Sequence, residues 1–93
     1  MKHRPYYSQV KRQIDSWDPA GLLVQGFPRS EYNYESEKVA SAITVDMNDE
    51  EIAAIISDVF IKAFGDEYGF CEVVNCLDVA RAIHEEIHKK WKR

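Results

Sequence analysis

Residues 84–88 form the pattern in this chain that is best suited to catalysis. They read His84-Glu85-Glu86-Ile87-His88, and on a helix the two histidines would lie on one side with β-carbons about 5–6 Å apart. Both imidazoles can then bind one Zn²⁺, while Glu85 acts as general base toward a metal-bound water. The pattern therefore suggests a small metal-dependent hydrolase.

The rest of the sequence does not complete such a site. A catalytic zinc needs a third protein ligand, but none of the five residues after His88 is a ligand type, and the remaining histidine is His3. Ile83 and Ile87 take the predicted buried face of the same helix. Two exposed histidines beside the core are the simpler interpretation. We predict no catalytic residues, no metal and no other cofactor, and keep the hydrolase as the alternative.

Cys71 and Cys76 are candidate nucleophiles that would need His84 or His88 as a base. Cys76 falls on a predicted core stripe, and burial in apolar surroundings keeps a thiol un-ionised. We therefore predict inert thiols. The N-terminus has no signal-peptide pattern, and no apolar run approaches the roughly 20 residues that span a bilayer. The sequence predicts a cytoplasmic protein without a membrane partner.

Charge is distributed unevenly along the chain. Residues 31–72 carry eleven acids against two bases, a net charge of −9, whereas residues 1–30 carry +3 and residues 73–93 carry +2. Clustered carboxylates attract a basic protein and raise its association rate, although acids also favour helix N-termini for purely local reasons. Tyrosine is common at interface hot spots. The candidate binding residues are Glu31, Tyr32, Tyr34, Glu35, Glu37, Asp46, Asp49, Glu50 and Asp58.

The acidic middle and the incomplete catalytic patterns together favour a non-enzymatic protein-binding module. Its partner would be an unidentified protein with a basic surface, and a homodimer is an alternative assembly. The most specific form of this hypothesis is an immunity or antitoxin-type inhibitor that covers the cationic substrate site of a toxin such as a nuclease. The overall charge of −4 disfavours nucleic acid as the partner. The basic C-terminus around Trp91 is better explained as a solvated helix end.

Apolar spacing predicts an all-α domain over residues 1–93, with about four helices around one core and frayed ends at 1–4 and 91–93. The first helix carries Val10, Ile14 and Trp17 on one stripe and ends at Trp17, because Pro19 disfavours a helical residue before it. The second helix is predicted to begin with Asn33 as its N-cap. Its inner face consists of Val39, Ala40 and Ile43.

The last two helices are the most clearly signalled. Asn48 and Glu51 have capping-box spacing, apolar residues then recur at helical intervals up to Phe64, and Gly65 supplies a stop. A final helix is predicted from about Glu72 to Lys90. Its apolar face consists of Val73, Cys76, Val79, Ala80, Ile83 and Ile87.

An ordered corner rich in Pro and Gly follows the first helix. Asp18-Pro19-Ala20-Gly21 has the chemistry of a β-turn, in which the Asp18 carboxylate would accept an N–H from Ala20 or Gly21. The segment after it is predicted to be buried through Leu22, Leu23 and Val24, with Phe27 as a core anchor. The residues that define the corner are Trp17, Asp18, Pro19, Gly21, Leu22 and Pro28.

These motifs resemble the YugE-like family of small bacterial proteins of unknown function. The resemblance rests on Trp17-Asp18-Pro19-x-Gly21-Leu22 with Pro28 and Glu31-Tyr32, and it continues through Phe60-x-x-x-Phe64-Gly65, Cys76 and Ala80-x-x-Ile83. It covers about residues 7–87. The chain departs from the family pattern at Ala20, Ser30 and Asn33. The resemblance implies an all-helical fold and supplies no assigned active site.

Overall fold

A computed structural model describes residues 6–19, 21, 23–65 and 72–91, which form four helices without strands. The helices are α1 (Tyr7–Trp17), α2 (Asn33–Ala42), α3 (Asp49–Phe64) and α4 (Val73–Trp91), and a short 3₁₀ turn (Arg29–Tyr32) leads into α2. The all-α prediction is confirmed. The expected frayed ends lie outside the described residues, except that α4 includes Trp91.

The helices enclose one core. α1 and α3 each pack against both α2 and α4, and the contact between α3 and α4 is the most extensive. Within the described part of the chain, no helix has the length and apolar character to cross a membrane. The fully buried aliphatic residues come from all four helices and include Val10, Ile14, Val39, Ile52, Ile56, Ile83 and Ile87.

The capping box predicted for α3 is present. The Asn48 side chain accepts the Glu51 backbone N–H at 2.8 Å, and Glu51 Oε1 accepts the Asn48 backbone N–H at 2.9 Å. Gly65 closes the helix at a φ of 91°, a value that favours glycine. The predicted face of α4 is buried except for Val73, which is 43% exposed at the first helical residue.

The predicted start of α2 is wrong by one position. Asn33 is the first helical residue, and the N-cap is Tyr32, which makes no side-chain capping hydrogen bond. A capping side chain acts from an extended backbone. The 3₁₀ turn instead runs directly into the helix and leaves Tyr32 at φ −104° and ψ 14°, which is a turn geometry. The predicted inner face of Val39, Ala40 and Ile43 is buried.

Asp18 connects the end of α1 to the corner that follows. It adopts a left-handed conformation with φ 47°, and its N–H donates to Ile14 at 2.8 Å. The β-turn is confirmed, because the Gly21 N–H donates to the Asp18 carbonyl at 2.9 Å. The carboxylate acts farther along the chain than predicted: it accepts the N–H groups of Leu23 and Val24, each at 3.0 Å.

The predicted burial of the corner is largely wrong. Val24 is 82% exposed and Phe27 is 48% exposed. The Val24 N–H bonds the partly buried Asp18 carboxylate, so the backbone at Val24 stays near the surface. Leu23 is partly buried and packs against the core. Leu22 and Ala20 lie outside the described residues.

Tyr32 links the corner to the core. Its hydroxyl donates to Asp18 Oδ1 at 2.7 Å, and its fully buried ring lies 6.2 Å from the ring of Phe60. Phe60 also meets Trp17 edge-to-face at 5.5 Å and stacks on Phe64 at 5.7 Å. Trp17 is only partly buried, so Phe60 is the centre of this cluster and Trp17 lies at its rim.

We expect Tyr32→Phe to lower the free energy of unfolding by about 1.5–3 kcal/mol, the range for a hydrogen bond to a charged group. The matched control is Tyr34→Phe, because Tyr34 is 63% exposed, and it should change stability by less than about 0.5 kcal/mol. Urea denaturation followed by circular dichroism measures both. Equal midpoints for Tyr32→Phe and the wild type would contradict a stabilising role for the Asp18 contact.

We expect Phe60→Ala to cost about 3–5 kcal/mol, as for other fully buried aromatic residues. Trp17→Ala should cost less, because its ring already contacts solvent in the native state. The same denaturation measurement tests the order, with Val24→Ala as the exposed control. A larger loss for Trp17→Ala than for Phe60→Ala would show that the corner, and not Phe60, dominates the packing.

Candidate protein-binding face

α4 places His84 and His88 side by side, with ring centroids 4.2 Å apart. His84 Nδ1 lies 3.4 Å from Asp49 Oδ1, while Glu86 accepts hydrogen bonds from Arg12 and Gln13 across the seam with α1, each at 3.2 Å. Among the described residues, no group of three or more His, Cys, Asp or Glu side chains is arranged to hold a metal ion. The hydrolase alternative therefore gains no third ligand from this part of the chain.

The described thiol lies in the core, away from the surface of α4. Cys76 is fully buried on the core face of α4, as its position on the apolar stripe predicted. Cys71 lies outside the described residues. The described side chains therefore place no accessible thiol beside either histidine.

Most of the predicted acidic residues that remain exposed fall into two groups, and the first surrounds the N-terminus of α3. Asp49 lies 3.5 Å from Arg81 Nε as well as near His84. These residues line a cavity of about 380 Å³ together with Asn48, Glu50 and Leu77. Negative side chains here stabilise the positive end of the helix dipole, so part of this acidity has a local structural role.

Asp46 lies in the turn before α3 and is exposed. It accepts a short hydrogen bond from the Thr44 hydroxyl. That bond, with a further one from its own backbone N–H, lowers the pKa of the Asp46 carboxyl below its ordinary value of 3.8. Asp46 therefore retains its negative charge to lower pH than an unassisted aspartate would.

Two predicted binding residues are buried, which corrects their assignment to a surface. Tyr32 is 0% exposed and Glu35 is 8% exposed. Tyr32 is turned inward because its hydroxyl bonds Asp18 and its ring packs on Phe60. Glu35 lies one helical turn before the core residue Val39, so the same helix face carries both inward.

The second acidic group lies along α2 and α3. A groove of about 280 Å³ between these helices is lined by Tyr34, Lys38, Asp58, Val59, Lys62 and Ala63. Lys38 Nζ lies 5.1 Å from the centroid of the Tyr34 ring, and Lys62 pairs with Asp58 at 3.2 Å. Glu37 lies in an adjoining depression that shares Tyr34 and Lys38.

The sequence-based prediction overlooked the two lysines of this groove. Lys38 and Lys62 are the only bases in residues 31–72, and the structure brings both to one place. Their positions four residues after Tyr34 and Asp58 were a usable signal, because side chains at that spacing are neighbours on a helix. The groove therefore has mixed charge, with Glu31 and Glu50 as further exposed acids elsewhere on the surface.

We expect Thr44→Ala to raise the pKa of Asp46 toward its ordinary value, because the hydroxyl that stabilises the carboxylate is removed. A lowered native pKa contributes stability above the unfolded value that is lost as the pH falls through the native one. The variant should therefore lose less stability on acidification below about pH 4. NMR titration of the Asp46 carboxyl carbon measures the shift. Thr44→Ser keeps a hydroxyl and should preserve the low pKa, and an unchanged pKa in Thr44→Ala would contradict this assignment.

Comparisons of the chain with protein-family models, curated proteins and solved structures found no match. The resemblance to the YugE-like family therefore rests on the sequence motifs alone.

Proposed function

We propose that the protein is a non-enzymatic, cytoplasmic protein-binding module that contacts a basic partner protein through α2 and α3. The observation that carries the proposal is the exposed Tyr34, which is 63% accessible at a groove that also contains Asp58. Glu37 lies beside the same tyrosine. An accessible aromatic ring flanked by carboxylates combines an anchor for binding with charges for orientation.

The charges and the ring contribute differently to such an interface. Exposed carboxylates act over about 8 Å at physiological ionic strength, so they chiefly raise the association rate and select partners of opposite charge. Affinity would come from burial of Tyr34 and the apolar groove residues. Binding should therefore depend on both salt concentration and the integrity of the groove.

The more specific form of the proposal is a bacterial immunity or antitoxin-type inhibitor. Acidic residues are well suited to cover the cationic substrate site of a toxin such as a nuclease, and the sequence concentrates −9 in residues 31–72. The family resemblance supports bacterial origin and a small helical fold.

A pull-down from a lysate of the source cell, with the tagged protein as bait and at low and high salt, tests the proposal. Any partner recovered would be identified, purified and titrated against wild type and the double variant Glu37→Lys/Asp58→Lys. We expect charge reversal to weaken binding by at least about tenfold, which corresponds to 1.4 kcal/mol. We also expect the wild-type affinity to fall as salt increases.

The matched control is Asp78→Lys/Glu85→Lys, which makes the same change in net charge at exposed positions of α4. This control should bind nearly as well as the wild type. Equal weakening in both variants would attribute the effect to overall charge. A partner retained equally by all three proteins at both salt concentrations would refute a role for the acidic face.

A further inference from the structure

The Tyr34 ring already makes a cation–π contact within the protein. Lys38 Nζ lies over it at 5.1 Å from the ring centroid, within the distance at which a cation is attracted to an aromatic face. Tyr34 is nevertheless 63% exposed, and Lys38 is itself exposed on the following turn of α2. The ring therefore has the geometry of a cation site whose present occupant is a flexible surface side chain.

The groove beneath the ring suits a long basic side chain. Val59 and Ala63 provide apolar contacts for a methylene stem, and the Asp58 carboxylate provides a charged end point. The Asp58 side chain is 63% exposed, and its contact with Lys62 Nζ is an exposed i,i+4 pair at 3.2 Å. Such pairs contribute little to stability and exchange readily. At about 280 Å³ the groove is just below the usual size of a small-molecule pocket, so it fits one inserted side chain.

A further carboxylate makes this region favourable to a cation. Glu37 shares an adjoining depression of about 210 Å³ with Tyr34 and Lys38. An anionic ligand on Lys38 and Lys62 would instead face Glu37 and Asp58.

We propose that this groove binds an arginine side chain of the partner protein, with the guanidinium stacked on Tyr34 in place of Lys38 and paired with Asp58. The inference rests on the proposed function and specifies the chemical group that it recognises. Arginine fits better than lysine, because its planar guanidinium is weakly hydrated, stacks on aromatic rings and binds carboxylates through two parallel hydrogen bonds. Lys38 then acts as an internal competitor that the partner must displace.

NMR titration of the isotope-labelled protein with N-acetyl-arginine amide tests this site without the natural partner. We expect weak, saturable shifts centred on the amides of Tyr34, Lys38 and Asp58. N-acetyl-norleucine amide, which has a stem without the charge, should cause much smaller shifts. Tyr34→Phe should keep the affinity for the arginine derivative. Tyr34→Ala should lower this affinity by about two- to fivefold, the factor expected for an exposed cation–π contact.

Lys38→Met gives the most specific result, because loss of the internal competitor should tighten arginine binding by about two- to fivefold. Weaker arginine binding to Lys38→Met, equal shifts with the norleucine derivative, or no shifts at the groove would each overturn the inference. If a captured partner binds Glu37→Lys/Asp58→Lys more weakly but binds Tyr34→Ala as well as the wild type, the arginine site is refuted and the proposed function stands. If the protein binds the arginine derivative specifically but charge reversal leaves the affinity of the partner unchanged, the proposed function is refuted instead.

Discussion

The Asp18 carboxylate is the contact on which the arrangement of the first half of the chain depends. It accepts two backbone N–H groups of the corner and the hydroxyl of Tyr32. Tyr32 in turn packs on Phe60 at the centre of the aromatic cluster. A buried phenol without an acceptor is costly. Asp18 therefore ends α1 through its backbone, while its carboxylate holds the corner and fixes where α2 enters the bundle.

The parts of the fold that sequence predicts well are those set by neighbours along the chain. The capping box of Asn48 and Glu51 closes within one turn, and the apolar spacing of α3 and α4 repeats over many residues. The start of α2 and the exposure of Val24 and Phe27 were mispredicted. The start of α2 follows from the 3₁₀ turn that runs directly into the helix. The Val24 backbone is bonded to the Asp18 carboxylate, six residues earlier, and local propensity predicts neither feature.

The candidate site shows the same division between local and distant causes. Charge composition identified an acidic region, but only the packing of the helices decides which acids remain available. Glu35 is carried inward with the core face of α2, and Asp49 meets Arg81 and His84 from α4. The grouping of Lys38 with Lys62 likewise depends on how α2 lies along α3. The sequence therefore predicted the net charge of residues 31–72 better than it predicted which of these residues form the exposed surface.

The seam between α1 and α4 has a consequence for how the protein is made. Arg12 and Glu86 meet across 74 residues of sequence, and the extensive face between α3 and α4 also requires the last helix. Translation proceeds at roughly 5–20 residues per second, so the apolar faces of α1 and α3 remain without their α4 partner until that helix emerges from the ribosome. The nascent chain must expose these surfaces for seconds, and the native contacts of α1 and α3 with α4 form only after that helix has emerged.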